Sequence, residues 1–314
     1  MSITGRRRTS IERQKRKSFY IFIAPWLVGF LLIQITPIVW GFFISLTNRT
    51  AFPVAVKFIG FSNYQRVFQD PDIMNSFRIT FIYAMGNNVI AMAIGFILAL
   101  LLDKPILGRS FFRTMLYFPY MIPIVAAGWI MRFFLERDSG FLNLVLTNLG
   151  LIKTNIPWLQ TYPMGSIFML SFWQAGWSMI IFLGALGTVP NELYESAIID
   201  GAGYLRRMRH ITLPLLSPFI FFQFVISTIY GMQAFIQPFV LNPRPFRGNH
   251  LMRNNPPEET FLIMSRSYDI ILGQRKFAYG LAMLWVLFLA IILLTIVIVW
   301  SRKFWVYSEM DERS

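Results

Sequence analysis

Groups able to do covalent or acid–base chemistry are scarce in this 314-residue chain. It has no Cys and two His, His210 and His250, which stand far apart. Thiolate metal sites, disulfides and Cys nucleophiles are therefore excluded, and no His-based metal site is expected. No Gly-x-x-x-x-Gly-Lys-Ser/Thr phosphate loop occurs, so any ATP chemistry tied to this chain belongs to another polypeptide. Side chains suited to binding are the uncharged polar ones inside apolar runs. These are Asn87 and Asn88, then Ser171, Trp173, Gln174, Trp177 and Ser178, then Gln223, Ser227, Thr228, Tyr230, Gln233 and Gln237. Amides and hydroxyls beside flat rings suit a neutral polyhydroxylated ligand such as a sugar. The same groups also bond helices to one another inside a membrane. Both readings stand for any one of them, and Asn87 and Asn88 read as structural.

The elements that carry these groups are membrane helices. Hydrophobic residues make up 55% of the chain and charged residues 14%, against about 25% charged in a soluble protein. That leaves too little polar surface to cover a water-facing globule. Six runs free of Asp, Glu, Lys, Arg and His are long enough for a crossing of about 20 helical residues: 19–46, 79–102, 114–131, 163–189, 213–241 and 277–300. They are continuously apolar instead of alternating, which specifies helices and not barrel strands. The third extends past Arg132 into Phe133, Phe134 and Leu135. The expected fold is thus an all-α membrane protein of six transmembrane helices: a basic segment 1–18, a membrane domain 19–300 and a tail 301–314, with no internal repeat.

Charge sets the orientation. With the N-terminus in the cytoplasm, the inner segments hold 16 Lys/Arg in 66 residues and the outer segments 13 in 98. The cluster Arg6, Arg7, Arg8, Arg13, Lys15, Arg16 and Lys17 lies beside the first run, where its influence on topology is greatest. Both termini are then cytoplasmic. Residues 1–46 read as a retained helix and not a cleaved leader, because the apolar run is about twice the length of a signal-peptide core. The net charge of +14 is read as topology and not as a nucleic-acid surface. Absence of charge from the runs argues against a proton-coupled carrier or an ion channel.

The most specific segment lies between the fourth and fifth runs. Pro190 ends one helix and begins another, in which Leu193, Tyr194, Ala197 and Ile198 recur at helical spacing opposite Glu192, Glu195 and Ser196. Gly201 supplies a turn. A basic stretch with Arg206, Arg207, Arg209 and His210 follows before Pro214, which is expected to open the fifth helix. Within this stretch Glu195-Ser196-Ala197 leads after three residues to Gly201, and after nine more to Ile211, Leu213 and Pro214.

This order resembles the EAA loop of bacterial ABC importer permeases, with Ser196 in place of the second Ala. Leu205 and Met208 stand where the sugar-importing members usually have aromatics. The resemblance extends further. Phe58-Ile59-Gly60-Phe61-Ser62-Asn63-Tyr64, Gly108-Arg109-Ser110-Phe111-Phe112-Arg113 and Trp173-Gln174-Ala175-Gly176-Trp177 look like signatures of the maltose/glycerol-phosphate branch. The resemblance implies a type I ABC importer permease fold in a bacterial or archaeal cytoplasmic membrane. It implies a second homologous permease, two ATPase subunits holding ATP and Mg, and an extracytoplasmic sugar-binding protein. In the coupling loop 190–214, Tyr194, Glu195, Ser196, Ala197, Asp200 and Gly201 would contact the ATPase. Glu195 would pair with one of its basic residues, Gly201 would shape the bend, and Tyr194 and Ala197 would fill its groove.

The resemblance also implies a sugar pathway along the helices flanking the loop, placing Gln174 and Trp177 on the fourth helix and Ser227, Tyr230, Gly231 and Gln233 on the fifth. The outer segment with Asn242, Pro243, Arg244, Pro245, Arg247, Arg253, Pro256 and Pro257 is expected to meet the binding protein. The chain itself would be no enzyme and would hold no cofactor. The competing readings are a stand-alone facilitator or secondary carrier for a neutral solute, which an ATP requirement distinguishes, and a membrane enzyme acting on lipids, which would need clustered acid–base groups at a membrane face, where the acidic cluster Glu192, Glu195 and Asp200 is accounted for by the loop motif.

Overall fold

The computed structural model describes residues 3–52, 55–241 and 256–307. These are helices joined by short turns, with one isolated β-bridge, Thr47 to Phe58. Four helices are long and apolar enough to cross a membrane: α1 (Arg13–Ser45), α3 (Pro71–Asp103), α10 (Tyr204–Met232) and α13 (Phe277–Phe304). Two bent pairs bring the number of crossings to six when each pair is counted as one. They are α4 (Arg109–Met121) with α5 (Ile124–Phe134), and α7 (Pro163–Trp173) with α8 (Gly176–Leu186). Shorter helices α2 (Ser62–Gln69), α6 (Phe141–Asn148), α9 (Asn191–Ile199), α11 (Ile236–Leu241) and α12 (Ile263–Tyr268) fill the connections.

Three expected runs are redrawn. The third, 114–131, is not a straight rod, because α4 and α5 meet at 99°. Pro123 cannot donate a helical hydrogen bond and pushes Ile122 to an extended conformation, ψ 128°, so the helix stops there. The fourth, 163–189, bends by 43° at Gln174 and Ala175. The fifth starts earlier than Pro214: a helix begins at Tyr204, passes through a π-turn at Met208–Thr212 and continues to Met232. The wider turn lies just ahead of Pro214, where proline removes a backbone bond. This helix ends at Gln233, and α11 carries the remainder of the run.

Packing is supplied by three apolar clusters. Leu102, Phe182, Leu186 and Leu216 fill the end that carries α9. Tyr83, Met131, Ile167 and Leu170 join α3, α5 and α7. Val67, Ile73, Ile263, Met283 and Leu287 join α2, α3, α12 and α13 beside it. Helix α1 joins this body late: the apolar part of the span has no buried residue, and Phe42 meets Trp285 at 5.0 Å between ring centroids. Its end is clamped by the Phe58–Tyr64 signature. Asn63 is buried and donates to the carbonyls of Ser45 and Thr47, both at 2.8 Å, while the Tyr64 and Ser45 hydroxyls lie 2.6 Å apart. Burial pushes the Tyr64 hydroxyl pKa up, against the lowering effect of that bond to Ser45.

Candidate functional site

Helices α3, α7, α8 and α10 converge on a mid-bundle cavity of about 650 Å³, with α4, α5 and α11 closing its rim. Tyr83, Asn87 and Ala91 reach it from α3 at spacings of four, which places them on one helical face. The break in the fourth run gives it Gln174, followed by Trp177 and Ser178 on the first turn of α8. Helix α10 contributes Gln223, Ser227, Tyr230 and Gly231, and α11 adds Gln237. No Asp, Glu, Lys, Arg or His lines the cavity among the described residues. Its volume falls within the range of about 300–1,000 Å³ common for small-ligand sites.

Flat apolar faces and amides meet here. Tyr120 and Trp177 stack with centroids 5.4 Å apart and planes 22° apart, and both rings stay partly exposed. Tyr230 is 73% exposed. Gln174 donates through Nε2 to the Pro119 carbonyl at 3.3 Å, tying the break in one bent pair to the end of the other. The contact depends on Gly176, because a Cβ there would lie 2.5 Å from the Leu116 carbonyl oxygen and 2.8 Å from Tyr117 Cα. The Trp173–Trp177 signature is thus a hinge, a close-packing glycine and a ring that faces the cavity.

Five of the six expected pathway residues, Gln174, Trp177, Ser227, Tyr230 and Gly231, line this one space. Gln233 does not. It lies exposed at the end of α10, donating to the Ile229 carbonyl at 3.1 Å. Gly231 also has a packing role, since a Cβ there would fall 2.9 Å from Ala84 Cα. The structural reading of Asn88 holds: buried, it donates to Phe224 O at 3.0 Å and Thr228 Oγ1 at 2.9 Å. Asn87 faces the cavity instead. Tyr83 and Tyr120 are absent from the sequence reading; the four-residue step from Tyr83 to Asn87 was a usable signal, whereas Tyr120 depends on the unforeseen bend. Gln223 donates to Ser178 Oγ, leaving its buried carbonyl oxygen without a partner among the described residues.

The second candidate region is 190–214. Helix α9 ends with Gly201 in the left-handed region, φ +74°. The Ala202 N–H bonds to Ala197 O at 2.8 Å and the Gly201 N–H to Ile198 O at 3.0 Å, which satisfies the last carbonyls of the helix. The hydroxyls of Tyr194 and Thr212 are hydrogen-bonded at 2.9 Å, and both Tyr194 and Ile211 pack on the cluster at that end. Tyr194 therefore braces α9 against α10, and Ala197 is half-buried beside it. Glu195, Ser196, Asp200 and Gly201 are exposed. So are Leu193 and Ile198 of the apolar face, along with Ile199 at 86%.

The described residues contain no group of three or more His, Asp and Glu able to hold a metal. Of the outer segment expected to meet a binding protein, Asn242, Pro243, Arg244, Pro245, Arg247 and Arg253 lie outside the described residues.

Comparison with known proteins identifies the family and the fold. The family described as binding-protein-dependent transport system inner membrane component matches residues 91–306. A probable ABC transporter permease protein of Bacillus subtilis, YesP, is 31% identical over 308 residues, covering 96% of this chain and 95% of its own. The arabinooligosaccharides transport system permease protein AraP of the same organism is 29% identical, over 90% of this chain and 88% of its own. The diacetylchitobiose uptake system permease protein NgcF of Streptomyces coelicolor is 28% identical, over 88% and 80%. Among solved structures, a chain of a bacterial ABC transporter involved in import of the acidic polysaccharide alginate superposes with a TM-score of 0.78 at 21% identity, covering 95% of this chain and 99% of that one. The chain belongs to the family of binding-protein-dependent transport system inner membrane components, the permease subunits of ABC importers.

Proposed function

We propose that this chain forms half of the translocation pathway of an ATP-driven oligosaccharide importer and is moved by a separate ATPase through residues 190–214. The observation that carries the reading is the continuity of α10. One helix holds the basic turn beside α9 and also Ser227 and Tyr230 in the cavity. Its 29 residues span about 43 Å at 1.5 Å per residue. A push on α9 reaches α10 through the Tyr194–Thr212 bond and tilts the cavity wall as a rigid body, which is what alternating access requires. Glu195, Ser196, Asp200 and Gly201 are the contact surface for the ATPase in this reading, with Tyr194 and Ala197 behind them as support.

Saccharide recognition is supported by the lining. Tyr120, Trp177 and Tyr230 offer faces for sugar rings, and Asn87, Gln174, Ser227 and Gln237 offer donors and acceptors for hydroxyls. The uncharged wall favours a neutral oligosaccharide. The uptake roles in the names of AraP and NgcF point the same way. The working complex contains a second homologous permease, two ATPase subunits that hold ATP and Mg, and an external binding protein. Both termini and the loop 190–214 face the cytoplasm. The chain has no catalytic step of its own.

Reconstitution of the complex with its binding protein tests the reading. Uptake of labelled neutral oligosaccharides is expected only with ATP inside the cytoplasmic compartment, and acidic ones are expected to be poor substrates. Uptake by this chain alone without ATP would replace the importer with a facilitator. Because the chain has no Cys, single Cys residues introduced at Ser196 and Ser308 should be labelled from the cytoplasmic side.

A further inference from the structure

We propose that the cleft between the end of α9 and the start of α10 receives an acidic side chain of the ATPase subunit. The docking surface is then bipolar, with Glu195 on one element and two arginines on the next. This rests on the importer reading above and adds a second contact of opposite charge to it. The cleft measures about 360 Å³, with Ala197 and Ile211 as apolar walls and Asp200, Arg206, Arg207 and His210 as its polar groups. Two guanidiniums face one carboxylate, so it stays positive with Asp200 counted. Arg207 is half-buried, and its Nε is sealed from solvent with no acceptor among the described residues. Arg206 is exposed and Arg207 partly so, and a carboxylate arriving from outside would pair with what remains open of the two guanidiniums, whose own carboxylate is only Asp200.

The rim supports a protein occupant. Ile199 and Leu205 are 86% and 79% exposed, and Tyr204 is 54% exposed. Apolar and aromatic anchors around a charged pair are the composition of a protein interface. The cleft takes Ala197 from the helix that also carries the exposed Glu195 and Ser196, and Asp200 from its end, so a protein seated on α9 covers it. Opposite charges on neighbouring elements also fix the direction in which α9 can enter a groove, since reversed docking brings like charges together.

The test uses the whole importer in nanodiscs. Arg207→Lys supplies an amine for a zero-length carbodiimide cross-linker, and the linked peptides are sequenced. A bond from position 207 to an Asp or Glu of the ATPase is the expected result. A bond only to Asp200, or only to Glu309, Asp311 or Glu312 of the same chain, or no bond at all, overturns the proposal. In a second measurement, Arg206→Gln with Arg207→Gln should weaken retention of the ATPase roughly tenfold and flatten its dependence on salt. Unchanged retention, or a loss seen only in nanodiscs with anionic lipid, counts against it. Normal behaviour of these variants while Glu195→Lys still uncouples transport rejects the cleft alone. If no ATPase accompanies the unaltered chain, the importer reading falls and this proposal falls with it.

Discussion

Segment 190–214 and the mid-bundle cavity are assembled by opposite routes. The first is one contiguous stretch whose shape is made locally: Pro190 starts α9, Gly201 at φ +74° turns the chain, and Ala202 closes the turn on Ala197. The second draws side chains from seven helices, two of them reached only through sharp bends. In the first region a changed residue acts where it sits. In the second, a residue with no group in the cavity can decide whether the cavity exists, as Gly176 does by letting α8 touch α4. In the proposed reading coupling is a surface property and recognition a packing property, and substitutions should separate them.

The largest expected effect is at the surface. Glu195→Lys should abolish ATP-driven uptake while membrane insertion and the melting temperature stay unchanged, because the side chain is exposed. Near-normal uptake would remove Glu195 from the interface. Gly201→Val should give a similar defect with a cost of about 1–2 kcal/mol from forcing a branched residue into the left-handed region.

Gly176→Val is the counterpart in the cavity. Its side chain would meet the backbone of Leu116 and Tyr117, so a loss of about 1–3 kcal/mol is expected. Thermal unfolding in detergent measures it, and an unshifted transition would mean that α8 has room to move away. Trp177→Ala should lower uptake about 2- to 10-fold, the value of one aromatic stacking contact, without lowering ATPase binding. Loss of both together would show that the two regions are not separable. Gln233→Ala should change uptake by less than about twofold, in the range of surface substitutions. A large defect would bring Gln233 back into the pathway, where its exposed position at the end of α10 does not put it.

The smallest effect lies outside both regions and serves as a control. The Glu136 carboxylate accepts bonds from the Ser139 and Asp138 amides, both at 2.8 Å, which hold its pKa below the usual range. A lowered folded value means that its stabilisation is full above the unfolded value of about 4.3 and is lost as pH falls through the folded one. Glu136→Gln should therefore melt slightly earlier than the parent at neutral pH and lose less on acidification. Equal acid sensitivity in the two proteins would refute this, and neither coupling nor uptake should move.

Much of this was open to reading from the chain because membranes simplify the problem. Inside hydrocarbon every backbone bond must close within a helix or a closed barrel, so continuously apolar runs such as 79–102 and 277–300, which do not alternate, are helices wherever they end up packing. Local chemistry is equally direct: Gly201 after α9 and the Glu195-to-Pro214 spacing depend on neighbours along the sequence. The stop at Pro123 is local, but the 99° angle between α4 and α5, the start of α10 at Tyr204 and the inward face of Asn87 were decided by tertiary structure. Hydrophobic runs carry little directional information, since lipid and protein interior are equally apolar, and a run of Leu, Ile and Phe does not say which side meets a neighbour. That choice is made by close approach at Gly86, Gly95, Gly176 and Gly231 and by buried bonds such as Asn88 to Thr228. The residue types available to bind a sugar are set by sequence, and which of them share one space is set by how the helices cross.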